Sequence, residues 1–154
     1  MKYEIKNRWD GKIIYQDEAE SFKALVLAAI KAGADLSYAD LSSANLRYAD
    51  LRYADLSYAD LRSADLPAPT MILLALWGEL SEQLTADLML FDASSHPDQT
   101  AFQRWADGGP CPYEGVKVQR VANFKESKKL WGAGKPDTIY NLMMRVLKEK
   151  TKQS

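Results

Sequence analysis

Ala-Asx-Leu recurs seven times at a spacing of five residues, from Ala34-Asp35-Leu36 to Ala64-Asp65-Leu66, with Asn45 as the single departure from Asp. A period of five matches neither the helical repeat of about 3.6 nor the strand repeat of about 2, so no one face of a single helix or strand carries the pattern. The chain must turn once per unit. Short repeats at fixed spacing build solenoids, in which each unit buries its apolar side chains only by stacking on its neighbours. Leu36, Leu41, Leu46, Leu51, Leu56, Leu61 and Leu66 are then the inward stack, with the alanine two residues before each as its small partner. The positions between them face water.

These units resemble the pentapeptide-repeat family, whose units read Ala-Asp/Asn-Leu-x-x. The resemblance covers residues 34–66 and implies a right-handed quadrilateral β-helix with four pentapeptides per coil. The letters carry a twenty-residue period of their own: Ala54-Asp55-Leu56-Ser57-Tyr58 repeats Ala34-Asp35-Leu36-Ser37-Tyr38, and Ala59-Asp60-Leu61-Arg62-Ser63 echoes Ala39-Asp40-Leu41-Ser42-Ser43. The segment makes one coil and most of a second. A stack this short leaves strand edges and leucines open at both ends, which invites aggregation, so the flanking segments must be caps.

Upstream, Asp10-Gly11 signals a two-residue hairpin between residues 3–9 and 12–15. A helix follows, with Ser21 as N-cap, Phe22, Leu25, Val26, Ala29 and Ile30 on one stripe, and Gly33 as the stop. Downstream, Pro67 and Pro69 end the repeats, because neither can donate to a sheet ladder or continue its predecessor in a helix. From Met71 to Phe91 the spacing of Leu73, Trp77, Leu80, Leu84, Leu88 and Phe91 predicts a long helix, one side of which seals the second coil. Residues 101–105 read as a short helix and 116–121 as a strand. Residues 138–150 read as a closing amphipathic helix, with Ile139, Leu142, Met143, Val146 and Leu147 on one side and Arg145, Lys148 and Lys150 on the other. The expected architecture is therefore a mixed β-solenoid plus α fold: a hairpin and capping helix over 1–33, the β-helix over 34–66, and a mainly helical lobe over 67–154.

At 154 residues the chain is long enough for a real core. It lacks a signal-like hydrophobic start and any apolar run near about 18 residues, so a soluble cytoplasmic protein with no membrane partner is expected. A single cysteine excludes an internal disulfide and fits a reducing compartment. The net charge of −1 conceals a polarity: residues 34–109 hold 4 basic and 12 acidic side chains, or −8, whereas 117–152 hold 10 basic and 3 acidic, or +7. The two lobes should attract each other, or their counterparts in a dimer or other homo-oligomer; a basic surface meeting phosphate is the alternative.

The outward repeat positions bear most on binding. Tyr38, Tyr48, Tyr53 and Tyr58 end their units, where small polar residues would suffice for folding, and Arg47, Arg52 and Arg62 stand one residue before such ends. Tyrosine and arginine carry interface hot spots and stack on bases. With Arg120 in the basic lobe, these residues form the candidate binding set. The plainer reading is a tyrosine ladder, with arginines neutralising the aspartates at 50, 55 and 60.

Catalysis finds little support. His96 and Cys111 are the only histidine and cysteine, nothing in the sequence brings them together, and too few Cys and His exist for a zinc site. The repeat aspartates form a ladder rather than an acid–base pair, and no dinucleotide-binding or P-loop motif occurs. No metal or other cofactor is expected. The run Trp105-x-x-Gly-Gly-Pro-Cys-Pro-Tyr113, with Arg120, Asn123-Phe124-Lys125-Glu126 and Leu130-Trp131, resembles the C-terminal part of small phage and prophage proteins that carry pentapeptide repeats. That likeness implies an origin rather than a mechanism. Some long members of the family mimic DNA on type II topoisomerases, but fewer than two coils give a stack only about 10 Å tall, so this chain could do so only as a dimer, and direct nucleic-acid binding is not expected. The expectation is a non-enzymatic phage or prophage protein that engages a host protein, for instance as an inhibitor of a host enzyme or defence system. The alternatives are a protein that binds or sequesters a nucleotide, and pure structural assembly.

Overall fold

The computed structural model describes residues 1–52, 54–113 and 124–151. Within the repeat each unit ends in a tight turn. The Leu carbonyl accepts a hydrogen bond from the Ala three residues on, as in Ala39 N to Leu36 O at 3.0 Å and Ala59 N to Leu56 O at 3.0 Å. Among the described residues, the second residue inside the turn has positive φ: 59° at Tyr38, 59° at Ser43, 62° at Tyr48, 59° at Tyr58 and 58° at Ser63. Type II turns require this conformation at that place, and side-chain-bearing residues enter it at a cost.

The Asx residue holds the approach to the turn. The Oδ1 atoms of Asp35, Asp40, Asn45, Asp50, Asp55 and Asp60 accept from the backbone N–H two residues on, at 2.8 to 3.2 Å. This is the Asx-turn, and Asn performs it as well as Asp, which explains why Asn45 is tolerated.

Consecutive coils meet at the twenty-residue spacing. Asp60 N donates to Ala39 O at 2.8 Å and its carbonyl accepts from Leu41 N at 2.9 Å; Asp65 does the same with Ala44 O at 2.9 Å and Leu46 N at 2.8 Å. Both are parallel bridges. Each side of a coil is one bridge long, so among the described residues the only extended sheet lies outside the repeat. The leucines from Leu36 to Leu56 are fully buried beneath these bridges.

That extended sheet is the antiparallel pair β1 (Lys2–Lys6) and β2 (Ile13–Glu18), with a register shift at Ile5/Lys6. The connection is longer than the two-residue Asp10-Gly11 turn expected from sequence. Asn7 Oδ1 accepts from Trp9 N and Asp10 N, Asn7 N donates to Lys12 O, and Gly11 takes a φ of 68°. The Asx-turn at Asn7 starts the reversal three residues early. The end of β1 and the residues just past it then close the lower edge of the first coil: Asp40 N donates to Lys6 O at 2.7 Å and Arg8 N to Tyr38 O at 2.8 Å. Helix α1 (Phe22–Lys31) starts at Ser21, whose Oγ accepts from Ala24 N at 3.1 Å, and buries Leu25, Val26 and Ala29.

The long helix predicted from 71 to 91 is instead two helices, α2 (Pro69–Leu73) and α3 (Glu82–Ser95). Between them Leu76 makes a parallel bridge with Asp55, its N–H reaching Ala54 O at 2.7 Å and its carbonyl accepting from Leu56 N at 2.9 Å. The coil continues by one more rung. Gly78 then turns the chain at a φ of 67°, and Ser81 caps α3. Trp77, which fits the helical pattern, is buried by another route, donating from Nε1 to Ile72 O at 2.8 Å. Helices α4 (Ala101–Ala106) and α5 (Ile139–Thr151) and a 3₁₀ turn (Lys128–Leu130) complete the lobe. Helix α5 packs on α2 and α3, and one cluster of buried side chains runs from Ile5 through the leucine stack to Val146. The expected strand at 116–121 lies outside the described residues.

Two side chains of α5 depart from the expected faces. Ile139 is exposed, whereas Lys150 is only 4% exposed. Lys150 lies four residues after Val146, on the same helical stripe, so periodicity places it on the buried side despite its charge.

Candidate functional site

The described tyrosines of the repeat, Tyr38, Tyr48 and Tyr58, fall into two environments. Tyr38 and Tyr58 stack with ring centroids 5.1 Å apart and planes inclined by 13°. The twenty-residue spacing dictates this contact, because equivalent residues in successive coils lie about one strand spacing apart. Lys150 Nζ caps the column, 4.5 Å from the Tyr58 ring centroid and 3.5 Å from its hydroxyl. Arg8 adds a hydrogen bond to Tyr58 O at 3.0 Å. This side of the repeat is thus covered by both caps.

Tyr48 is the opposite case. Its side chain is 96% exposed, yet it occupies a left-handed backbone position. With Arg47 it borders a recess closed by Leu66, Pro67 and Ala68, about 390 Å³ in volume. Arg47 reaches Asp65 at 3.8 Å and remains largely exposed, and Lys23 Nζ donates to its carbonyl at 3.2 Å.

The other arginines are held within their own units. Arg52 pairs with Asp50 at 2.6 Å and Arg62 with Asp60 at 2.6 Å, each through two guanidinium nitrogens. The guanidinium of Arg62 holds the Asp60 carboxyl below the ordinary aspartate range against the opposing effect of burial, and Arg52 does the same for Asp50. Asp55 is bound instead by Ser57, through both its N–H and its hydroxyl. Of the eight candidate binding residues, then, the structure joins Tyr38 with Tyr58 and Arg47 with Tyr48. Arg52 and Arg62 it gives to neighbouring aspartates. Tyr53 and Arg120 lie outside the described residues.

Three further residues shape these surfaces. Lys150, expected from sequence on the polar side of the closing helix, is buried, and its spacing of four from Val146 is the signal that could have shown it; Arg8 and Leu76 carry no sequence signal that would link them to the repeat.

His96 and Cys111, which nothing in the sequence connects, line one small recess of about 120 Å³ with Arg104. Both ring nitrogens of His96 are engaged, Nε2 with Pro112 O at 2.9 Å and Nδ1 with the backbone of Asp98 at 2.9 Å. The Nε2 partner is a carbonyl, so Nε2 carries the proton. The imidazole therefore serves as a brace between two loop segments rather than as a base for the thiol. Among the described residues no three His, Cys, Asp or Glu side chains gather as a metal site requires. No helix among them is long and apolar enough to cross a membrane.

Residues 32–66 match the family model of pentapeptide repeats, with eight copies, so this segment is a pentapeptide-repeat run. No curated protein and no solved structure matches the chain.

Proposed function

We propose that this is a non-enzymatic binding protein, in which a short right-handed, four-sided β-helix is held between two caps and presents one of its corners to a partner protein. The observation that carries the reading is Tyr48. A large aromatic side chain, almost wholly exposed, is kept on a backbone position that disfavours it, beside an exposed arginine and an apolar recess. Folding gains nothing from that ring, whereas aromatic and arginine side chains anchored beside a pocket supply the binding energy of protein interfaces. Proteins built of pentapeptide repeats generally act as structural or interaction proteins, in keeping with this reading. The likeness of the tail to phage and prophage proteins makes a host protein in the bacterial cytoplasm the partner of choice, with inhibition of a host enzyme or defence system as its consequence.

The nucleotide alternative draws less support from the same geometry. Tyr58 is sandwiched between Tyr38 and Lys150, and Arg62 is committed to Asp60. Neither stacking face nor guanidinium stands open to a base and phosphate there.

The test is affinity capture from bacterial lysate at low and moderate salt with mass spectrometry of the retained proteins, comparing wild type with Tyr48→Ala and Arg47→Ala. We expect a retained protein that both variants lose. Capture unaffected by either variant would move the function away from this corner, and an empty capture would remove the host-protein reading.

A further inference from the structure

The second coil of the repeat ends on an edge that the chain pairs on one side and leaves unpaired on another. In the first coil, Ala44 O and Leu46 N bond to Asp65 of the second. Ala64 O and Leu66 N are their equivalents twenty residues on and, by the same geometry, point onward from the second coil. Among the described residues no hydrogen bond reaches either atom, and Ala64 and Leu66 are both partly exposed. Unpaired backbone of this kind is a template for a further strand. The chain itself fills such a rung elsewhere on the same edge. Leu76 bridges Asp55 in parallel, donating to Ala54 O and accepting from Leu56 N, and Trp77, which follows it, is buried.

Asp65 adds a charge beside the unpaired rung. In the six preceding units the Asx Oδ1 accepts from the N–H two residues on. Two residues past Asp65 stands Pro67, which has no N–H to give. The Asp65 side chain is 54% exposed, and Arg47 approaches it only to 3.8 Å, beyond hydrogen-bonding distance. The last unit therefore carries a carboxylate that its own turn does not use.

We infer that this edge takes an extended segment of the partner protein as an added rung. The segment's backbone donates to Ala64 O and accepts from Leu66 N, a lysine or arginine stands against Asp65, and a large apolar residue directly after it lies over Leu66, as Trp77 follows Leu76. Running parallel to residues 64–66, the segment continues into the recess that Tyr48 and Pro67 border. The inference rests on the binding role proposed for that corner and specifies what the partner presents to it.

The probe is the peptide Thr-Ala-Lys-Trp-Thr-Val, blocked at both ends and titrated into the ¹⁵N-labelled full-length protein. Saturable amide shifts are expected at Asp65, Leu66 and Ala68, with the Leu66 proton moving downfield as it becomes a donor. Methylation of the peptide's lysine backbone nitrogen should abolish them. Replacing that lysine by glutamate should weaken binding about tenfold, the sum of an exposed attraction lost and a repulsion gained, and Asp65→Asn should erase the difference between the two peptides. Absence of saturable shifts, or equal binding by the methylated peptide, would overturn the added rung. Equal affinity of the lysine and glutamate peptides would overturn the role of Asp65. A silent peptide together with lysate capture that depends on Tyr48 would remove the rung and keep the corner, whereas peptide binding together with capture indifferent to Tyr48→Ala would keep the rung and remove the corner.

Discussion

The repeat asks two things of single residues: an oxygen that grips the turn, and a side chain that tolerates left-handed backbone. Asp60 meets the first and adds a guanidinium partner. Its depressed pKa means that its contribution is fully present above the ordinary aspartate value of 3.8 and is lost as the pH falls through the lower folded-state value. Asp60→Asn keeps the Oδ1 acceptor for Arg62 N but removes the charge, so it should flatten the acid limb of a stability–pH curve measured by urea unfolding. Asp60→Ala removes both and should lower stability at neutral pH as well, by about 1 kcal/mol, the typical value of losing an Asx-type cap. The second requirement yields a contrast between tyrosines. Among the described residues Tyr48 makes no ring contact, so Tyr48→Asn should stabilise the protein by about 0.5 kcal/mol through relief of left-handed strain. Tyr58→Asn relieves the same strain but loses the stack and the lysine contact, and should destabilise by about 1 kcal/mol or more. Equal effects at both positions would show that the Tyr38–Tyr58 stack contributes nothing.

At the scale of elements, the helical lobe holds the repeat at two points. Leu76 supplies a backbone rung above Asp55, and Lys150 supplies a cation above Tyr58. Gly78 makes the first possible by turning the chain away at positive φ, and a Cβ there would sit 3.4 Å from Ser57 Cβ. Gly78→Ala should therefore cost about 1 kcal/mol, mostly as backbone strain. Helix α5 is tied in turn to the start of α3: Ser81 N donates to Glu149 at 2.9 Å, Ser81 Oγ joins the same carboxylate, and Arg145 pairs with Asp87 at 2.6 Å. Lys150→Ala removes both the stem packing and the cation from Tyr58, and should lower stability by about 1–2 kcal/mol. Lys150→Met restores the stem alone. If Met matches wild type, packing rather than charge holds α5 on the repeat.

For the whole molecule, the repeat and its caps form one cooperative unit, because the leucine stack belongs to the same buried cluster as residues of α1, α3 and α5. A truncated chain ending at residue 68 retains all eight repeat copies but loses the Leu76 rung, α2 and α5. It should show no cooperative thermal transition by circular dichroism, in contrast to the full chain. A sharp transition in the fragment would show that the hairpin and α1 suffice as a cap.

The period of five, the identity of the inward leucines and the twenty-residue superposition were all legible in the letters, because each follows from local spacing alone. The start of α1 at Ser21 and the existence of α5 were legible for the same reason: caps and stripes are short-range signals. The candidate site was legible in part. Sequence marked Tyr48 and Arg47 as outward, but it equally marked Tyr58 and Arg62, which the fold commits to Lys150 and Asp60. Only the tertiary structure separated them, since burial of a surface tyrosine depends on what arrives from 92 residues away. The same holds for the broken helix after Met71. Its apolar spacing satisfied a helix, but an open coil edge competes for the backbone of Leu76, and a buried unpaired edge costs more than an interrupted helix.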